Sequence, residues 1–185
     1  WCPSMAEVVV TGLGMCTPLG SAPKRGGPTA VAHQAELEGL PHTTAAVIDA
    51  IDLKPWLKRR KDRKLMARPS QLALSAAGQA LEAWPDARDR MGLYVGVGRE
   101  PGDDGESIPA LIAASRGGRL DEAAVAGPCR DLYPPLLPLK TLPNMALAHI
   151  SIHLDVRGEN GAWCGGVAAG LTAVRAAVGA IHEGR

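Results

Sequence analysis

The stretch GENGAWCGGVAAGLTAV (residues 158–174) sets Cys164 beside paired glycines and ahead of a run with helical apolar spacing. A cysteine at a helix N-terminus is suited to nucleophilic acyl chemistry. The helix dipole favours the thiolate, and free backbone N–H groups there can hold a developing oxyanion. The same spacing also admits a thiol that merely accompanies a turn. The choice depends on whether Cys164 stands on the helix or on the strand before it.

Other residue types narrow the chemistry. HISIH sets His149 and His153 four apart, on one face of a helix, but no further ligands with metal spacing are evident nearby, so no metal is expected. GLGMCTPLG departs from the dinucleotide fingerprint, because Thr17 stands where the third glycine is due, and no cofactor is expected. Cys2, Cys16, Cys129 and Cys164 form no CxxC pair and are too sparse for a disulfide scaffold, which points to a reducing cytoplasm. The basic run LKRRKDRK (57–64) reads as a solvated face or loop. A net charge of +1 gives no electrostatic case for nucleic acid or an anionic membrane surface. No apolar stretch reaches membrane-spanning length, and the start of the chain shows no signal-peptide pattern.

These residues need elements to position them, and 185 residues are enough for one domain with its own core. Residues 1–6 read as an upstream extension or cloning remnant, and residues 7–185 as the domain. EVVVTGLG (7–14) has the β-branched run of a buried strand, MGLYVGVG (91–98) reads as a second strand and GAWCG (161–165) as a third. Residues 21–55 are a poorly patterned connection. Pro69 and Ser70 open a helix carrying Leu74, Ala77, Leu81 and Trp84 at spacings of three and four, with Pro85 as its stop. Residues 99–143 form a Pro/Gly-punctuated insertion or cap with a helix near 107–116. Helices follow at 144–156 and 167–183. In the last, Val167, Leu171, Val174, Val178 and Ile181 form one stripe, and Gly184 stands as its C-cap. Strand and helix alternate, which predicts an α/β layered fold with a small, mainly parallel sheet and helices on both faces. Three strands make a thin sheet, as for part of a larger fold.

Five segments then resemble one family, the β-ketoacyl synthases of the thiolase-like fold. VVVTGLGMCTPLG is similar to their opening strand and turn, and RRKDRK followed by LALSAAGQAL to their Arg-Arg-x-Asp-Arg segment and first long helix. GLYVGVG resembles their second strand, and LPNMALAHISIHLDVRGEN their Pro-Asn-Met-Ala-Ala-x-His-Ile-Ser-Ile segment ending in Gly-Pro-Asn. The resemblance covers the N-terminal part of such an enzyme, a thiolase-like half-fold. The family's two catalytic histidines and its Gly-rich oxyanion loop belong to the other half.

The family's nucleophile lies in Ala-Cys-x-Ser-Gly. Counted without a gap from Gly158–Asn160, Gly170 matches the last glycine, Ala169 the serine and Val167 the cysteine. Cys164 falls three residues early, inside the predicted strand, and is expected to be a buried structural thiol. No catalytic residue is therefore expected here, with Cys164 as a fallback only. The resemblance implies a non-catalytic, chain-length-factor-like subunit. It would pair, as homodimer or heterodimer, with a ketosynthase in acyl-carrier-protein-dependent fatty acid or polyketide synthesis. Trp163, Val167, Asn144, Met145, His149, Leu171 and Val174 would line its cavity or interface. The alternatives are a split or degenerate synthase using Cys164, and a thiolase-like adaptor outside lipid synthesis.

Overall fold

The computed structural model describes residues 7–21, 31–48, 50–84, 86, 88–98 and 104–185. The expected extension at 1–6 and the expected stop at Pro85 lie outside them.

At the centre, β3 (Leu93–Val97) and β6 (Asn160–Cys164) pair in parallel, in register from Leu93 with Asn160 to Val97 with Cys164. Successive side chains of a strand point to opposite faces. Leu93 and Val95 turn toward a core of Ile51, Leu53, Met66, Leu74, Ile150, Leu154 and Val156. Gly96 turns the other way, onto the first residues of the final helix.

Two helices close the core face. In α1 (Arg68–Ala80), Pro69 sits in the first turn, where its fixed φ fits and its missing N–H costs nothing. Leu74 is fully buried, and Gly78 lets the Trp56 indole lie against the helix backbone. The helix ends before Trp84, contrary to expectation. Leu81 closes it, tighter turns follow, and Trp84 is left exposed because the inward face has ended. In α6 (Met145–Leu154), Ala146, His149, Ile150, His153 and Leu154 are buried at helical spacing against α1. Asp155 ends it at φ 57°, a left-handed conformation that Asp tolerates better than most residues.

On the opposite face lies α7 (Ala169–His182), entered through a 3-10 turn at Gly166–Ala168. It ends in paired bonds, Gly184 N–H to the Ile181 carbonyl and Arg185 N–H to the Ala180 carbonyl, with Gly184 at φ 74°. This is a Schellman cap, as the glycine there predicts. The stripe of α7 faces outward, and alanines make its inner face. Ala169, Ala173 and Ala180 are buried, whereas Val167, Leu171, Val174 and Ile181 are exposed. Gly96 brings the helix backbone close to the sheet, and only alanine fits between.

Residues 7–14 are the second correction. They form no strand, and Val9, Val10 and Leu13 are exposed. The segment lies along α1, with Gly12 and Gly14 against the backbone of Ala80 and Ala76 and the Met15 N–H bonded to Gln79 Oε1. With its glycines packed on a helix, this segment has no strand ladder to join. Among the described residues the parallel sheet therefore has two strands, not three.

The other sheets are two-stranded and antiparallel. In the connection after the first segment, β1 (Val31–His33) pairs with β2 (Thr44–Ala46). The insertion holds α2 (Asp104–Ala113), three residues earlier than expected, then the hairpin β4 (Ser115–Arg116) and β5 (Arg119–Leu120). Gly117 and Gly118 both have positive φ, as its two-residue turn requires. Helical turns follow: α3 (Glu122–Ala124), a π-turn at Val125–Cys129, α4 (Arg130–Leu132) and α5 (Pro138–Thr141). The π-turn packs on α2, α3 and α4, and α5 leans on α6. Among the described residues no helix is long and apolar enough to cross a membrane.

Candidate functional site

The turn between β6 and α7 is built by glycines. Gly165 is extended in φ, Gly166 takes φ 58°, and the chain then rises into Val167 at the head of the helix. Val167 is wholly exposed, its apolar side chain lifted from the surface at the strand-to-helix corner. Cys164 stands three residues back as the last residue of β6, not on the helix. It is exposed, which corrects the buried position expected for it, and its Sγ lies 3.5 Å from the Gly98 carbonyl oxygen.

The other expected lining residues divide between separate faces. Trp163 belongs to the α7 side of the sheet, where it covers Gly161 and stacks on Tyr94 with centroids 6.0 Å apart. Burial beside the Glu159 carboxylate holds the Tyr94 phenol above its ordinary range. Asn144 is exposed, Met145 is half-buried and His149 is buried, all at or in α6 beyond the other face. Leu171 and Val174 face outward from α7. These residues do not line one shared cavity. Val167, Leu171, Val174 and Ile181 are instead exposed at helical spacings along α7 and the turn before it, a row of apolar side chains facing outward.

His149 and His153 do share a face, as their spacing predicts, with rings stacked 6.1 Å apart. His153 Nδ1 accepts the Lys58 N–H at 3.3 Å, and its Nε2 lies 3.9 Å from the buried Asp62 carboxylate. Burial holds both imidazoles below their ordinary range, against the pull of Asp62. His149 Nε2 and Ser70 Oγ are buried without hydrogen-bond partners among the described residues. No group of three His, Cys, Asp or Glu among the described residues is placed to hold a metal. The role of Asp62 was not legible in advance, since a lone acid in a basic run signals nothing by itself. The run forms a 3-10 helix, Arg60–Leu65, that turns Asp62 inward and Arg60, Lys61, Arg63 and Lys64 outward around a surface cavity of about 680 Å³.

The profile of the beta-ketoacyl synthase N-terminal domain matches residues 5–185. The chain belongs to that family. Its structure is similar to that of a beta-ketoacyl synthase from Burkholderia phymatum STM815, with a TM-score of 0.68 and 21% identity, over 95% of this chain and 43% of that one. It is equally similar to the ishigamide ketosynthase/chain length factor, with a TM-score of 0.68 and 21% identity over 95% and 44% of the two chains. A third likeness is to a type II polyketide synthase acyl-carrier protein in complex with its ketosynthase bound to the hexaketide (AntDE:AntF). Its TM-score is 0.55, with 19% identity over 75% and 37%. No curated protein matches the sequence. This β-ketoacyl synthase N-terminal domain thus spans under half the length of the solved structures it resembles, and shares with them the thiolase-like arrangement of parallel strands between helices.

Proposed function

We propose that this β-ketoacyl synthase N-terminal domain serves as a non-catalytic, ketosynthase-like subunit. It pairs with a ketosynthase in acyl-carrier-protein-dependent fatty acid or polyketide synthesis. The observation that carries the reading is Val167 at the corner between β6 and α7, the position at which the family's gap-free register puts the nucleophile. Valine has no group to attack a thioester, whatever the helix dipole offers. The likeness to a ketosynthase/chain length factor and to a ketosynthase in complex with its carrier protein supports this pathway class. The outward row of Val167, Leu171, Val174 and Ile181 supports a protein partner, since soluble proteins rarely leave such a face bare.

One observation favours a second reading, a degenerate synthase using Cys164: its thiol is exposed at the carboxyl end of a parallel strand. Incubation with an acyl-carrier thioester, followed by intact-mass measurement, separates the two. The first reading expects no acyl adduct. An adduct mapping to Cys164 and lost in Cys164→Ser would establish the second.

A further inference from the structure

His153 ties the basic segment to the core through an acceptor that a proton would remove. Its side chain is almost wholly buried, and its Nδ1 accepts the Lys58 backbone N–H. An amide N–H can only donate, so Nδ1 carries no proton. The ring proton then sits on Nε2, on the side of Asp62. Protonation of the ring would place N–H groups on both nitrogens. Nδ1 would then meet the Lys58 N–H donor to donor, and the bond could not persist.

We infer that His153 is an acid-released latch, which in its neutral form holds the start of the segment Lys58–Leu65 on α6 and on proton uptake lets it go. The groups around it decide how far this goes. Asp62, from the 3-10 helix, favours the charged ring, while burial, Lys58 and Arg59 oppose it, and burial is the largest effect. His149, one turn earlier on α6, adds a second ring that shuns charge. The buried face of α1 brings Ser70, Leu74, Ser75 and Gly78, none of them charged, and β3 brings Leu93 and Val95. α5 also packs on α6, and its Lys140 is paired with Glu106.

The release is local, because a second tether survives it. The Lys58 ammonium lies 2.6 Å from Asp155 Oδ1, and hydrogen bonds from Lys58 and Arg157 hold that carboxyl below its usual range. Acid that reaches the histidine leaves this ion pair in place. Lys58 would keep its side chain on the C-terminal end of α6 while its backbone moves. Arg60, Lys61, Arg63 and Lys64 would then meet an anionic partner in a different arrangement in acid than at neutral pH.

Hydrogen exchange at the Lys58 amide, corrected for its intrinsic pH dependence, tests the latch. From about pH 7.5 to about pH 5, its protection should fall tenfold or more while the buried amides of α1 keep theirs, on the order expected for local opening. Equal protection at both values would overturn the inference. His153→Gln keeps an acceptor but cannot titrate, so with only His149 left to take up a proton the acid loss of protection in that variant should be much smaller than in the parent; an acid loss as large as in the parent would equally overturn it. Should that variant not fold, nitrogen shifts of the parent imidazole decide. A proton on Nε2 at neutral pH is expected, and one on Nδ1 would refute the latch.

Discussion

Gly96 of β3 lies against the carbonyl of Ala169, so closely that a Cβ at Gly96 would overlap it. Sheet and helix meet there backbone to backbone, with no flexible side chain to give way. Gly96→Ala should therefore sit at the costly end of overpacking, about 3 kcal/mol. A urea midpoint unchanged from the parent would show that α7 can back away from the sheet.

Leu74 is fully buried between α1 and α6, within the main cluster. Leu74→Ala removes its methyl groups and leaves a cavity, at a cost of about 2–5 kcal/mol. The same unfolding curve measures it. A smaller loss would mean that the core collapses into the space.

Leu171 and Val174 are 75% and 61% exposed. Leu171→Arg or Val174→Arg should change the stability of the folded chain by no more than about 0.5 kcal/mol, the usual range for open surface sites. Association should be lost in either variant. Sedimentation at low micromolar concentration checks both halves. A parent protein that already sediments as a well-folded monomer would remove the row as an interface.

Buried His149 and His153 make folding pH-dependent with a definite sign. Burial lowers both folded values, so on acidification the unfolded chain takes up protons first, near about pH 6.5. The stabilising contribution of the neutral rings is complete above that range. It declines as pH falls toward the folded values and then levels off. Urea midpoints across that window should drop with acid, and the slope should be shallower in His153→Gln.

Val167→Cys puts a thiol on the exposed corner ahead of α7. It should alkylate faster than Cys164, because the helix N-terminus favours thiolate. Condensation of carrier-bound acyl groups by this chain alone should still be undetectable. Product formation without a partner would show that one residue is all the site lacks.

The sequence made β3, β6, α6 and the glycine end of α7 legible, because in each a period and a stop signal agree. It misled where a pattern has two physical readings. Val8, Val9 and Val10 have the character of a strand, but a strand exists only where a neighbour supplies the ladder, and Gly12 and Gly14 commit this segment to α1. In α7, by contrast, the Val/Leu/Ile stripe was legible as a face for a neighbour, but the alanine face that close approach to Gly96 selects for the sheet was not. Of the candidate site, the three-residue offset of Cys164 from the helix was readable, and its exposure was not, since what covers a strand end comes from elsewhere in the chain. The pairing of His153 with Lys58 spans 95 residues and left no local signal.

The insertion between β3 and β6 also bears on how the chain reaches its fold. Val97 and Cys164 pair across a connection of more than sixty residues, the separation seen in the Cys164 to Gly98 contact being 66. Parallel pairing at such distance is slow, because the entropy of closing the loop is lost before any contact compensates it. The turns from α2 to α4 pack on one another, and α5 rests on α6, so most of this connection can form from neighbours in sequence. A connection already folded brings its two ends together as a short loop would. Locally formed pieces such as the hairpin at Gly117 and Gly118 shorten the chain that remains to be closed.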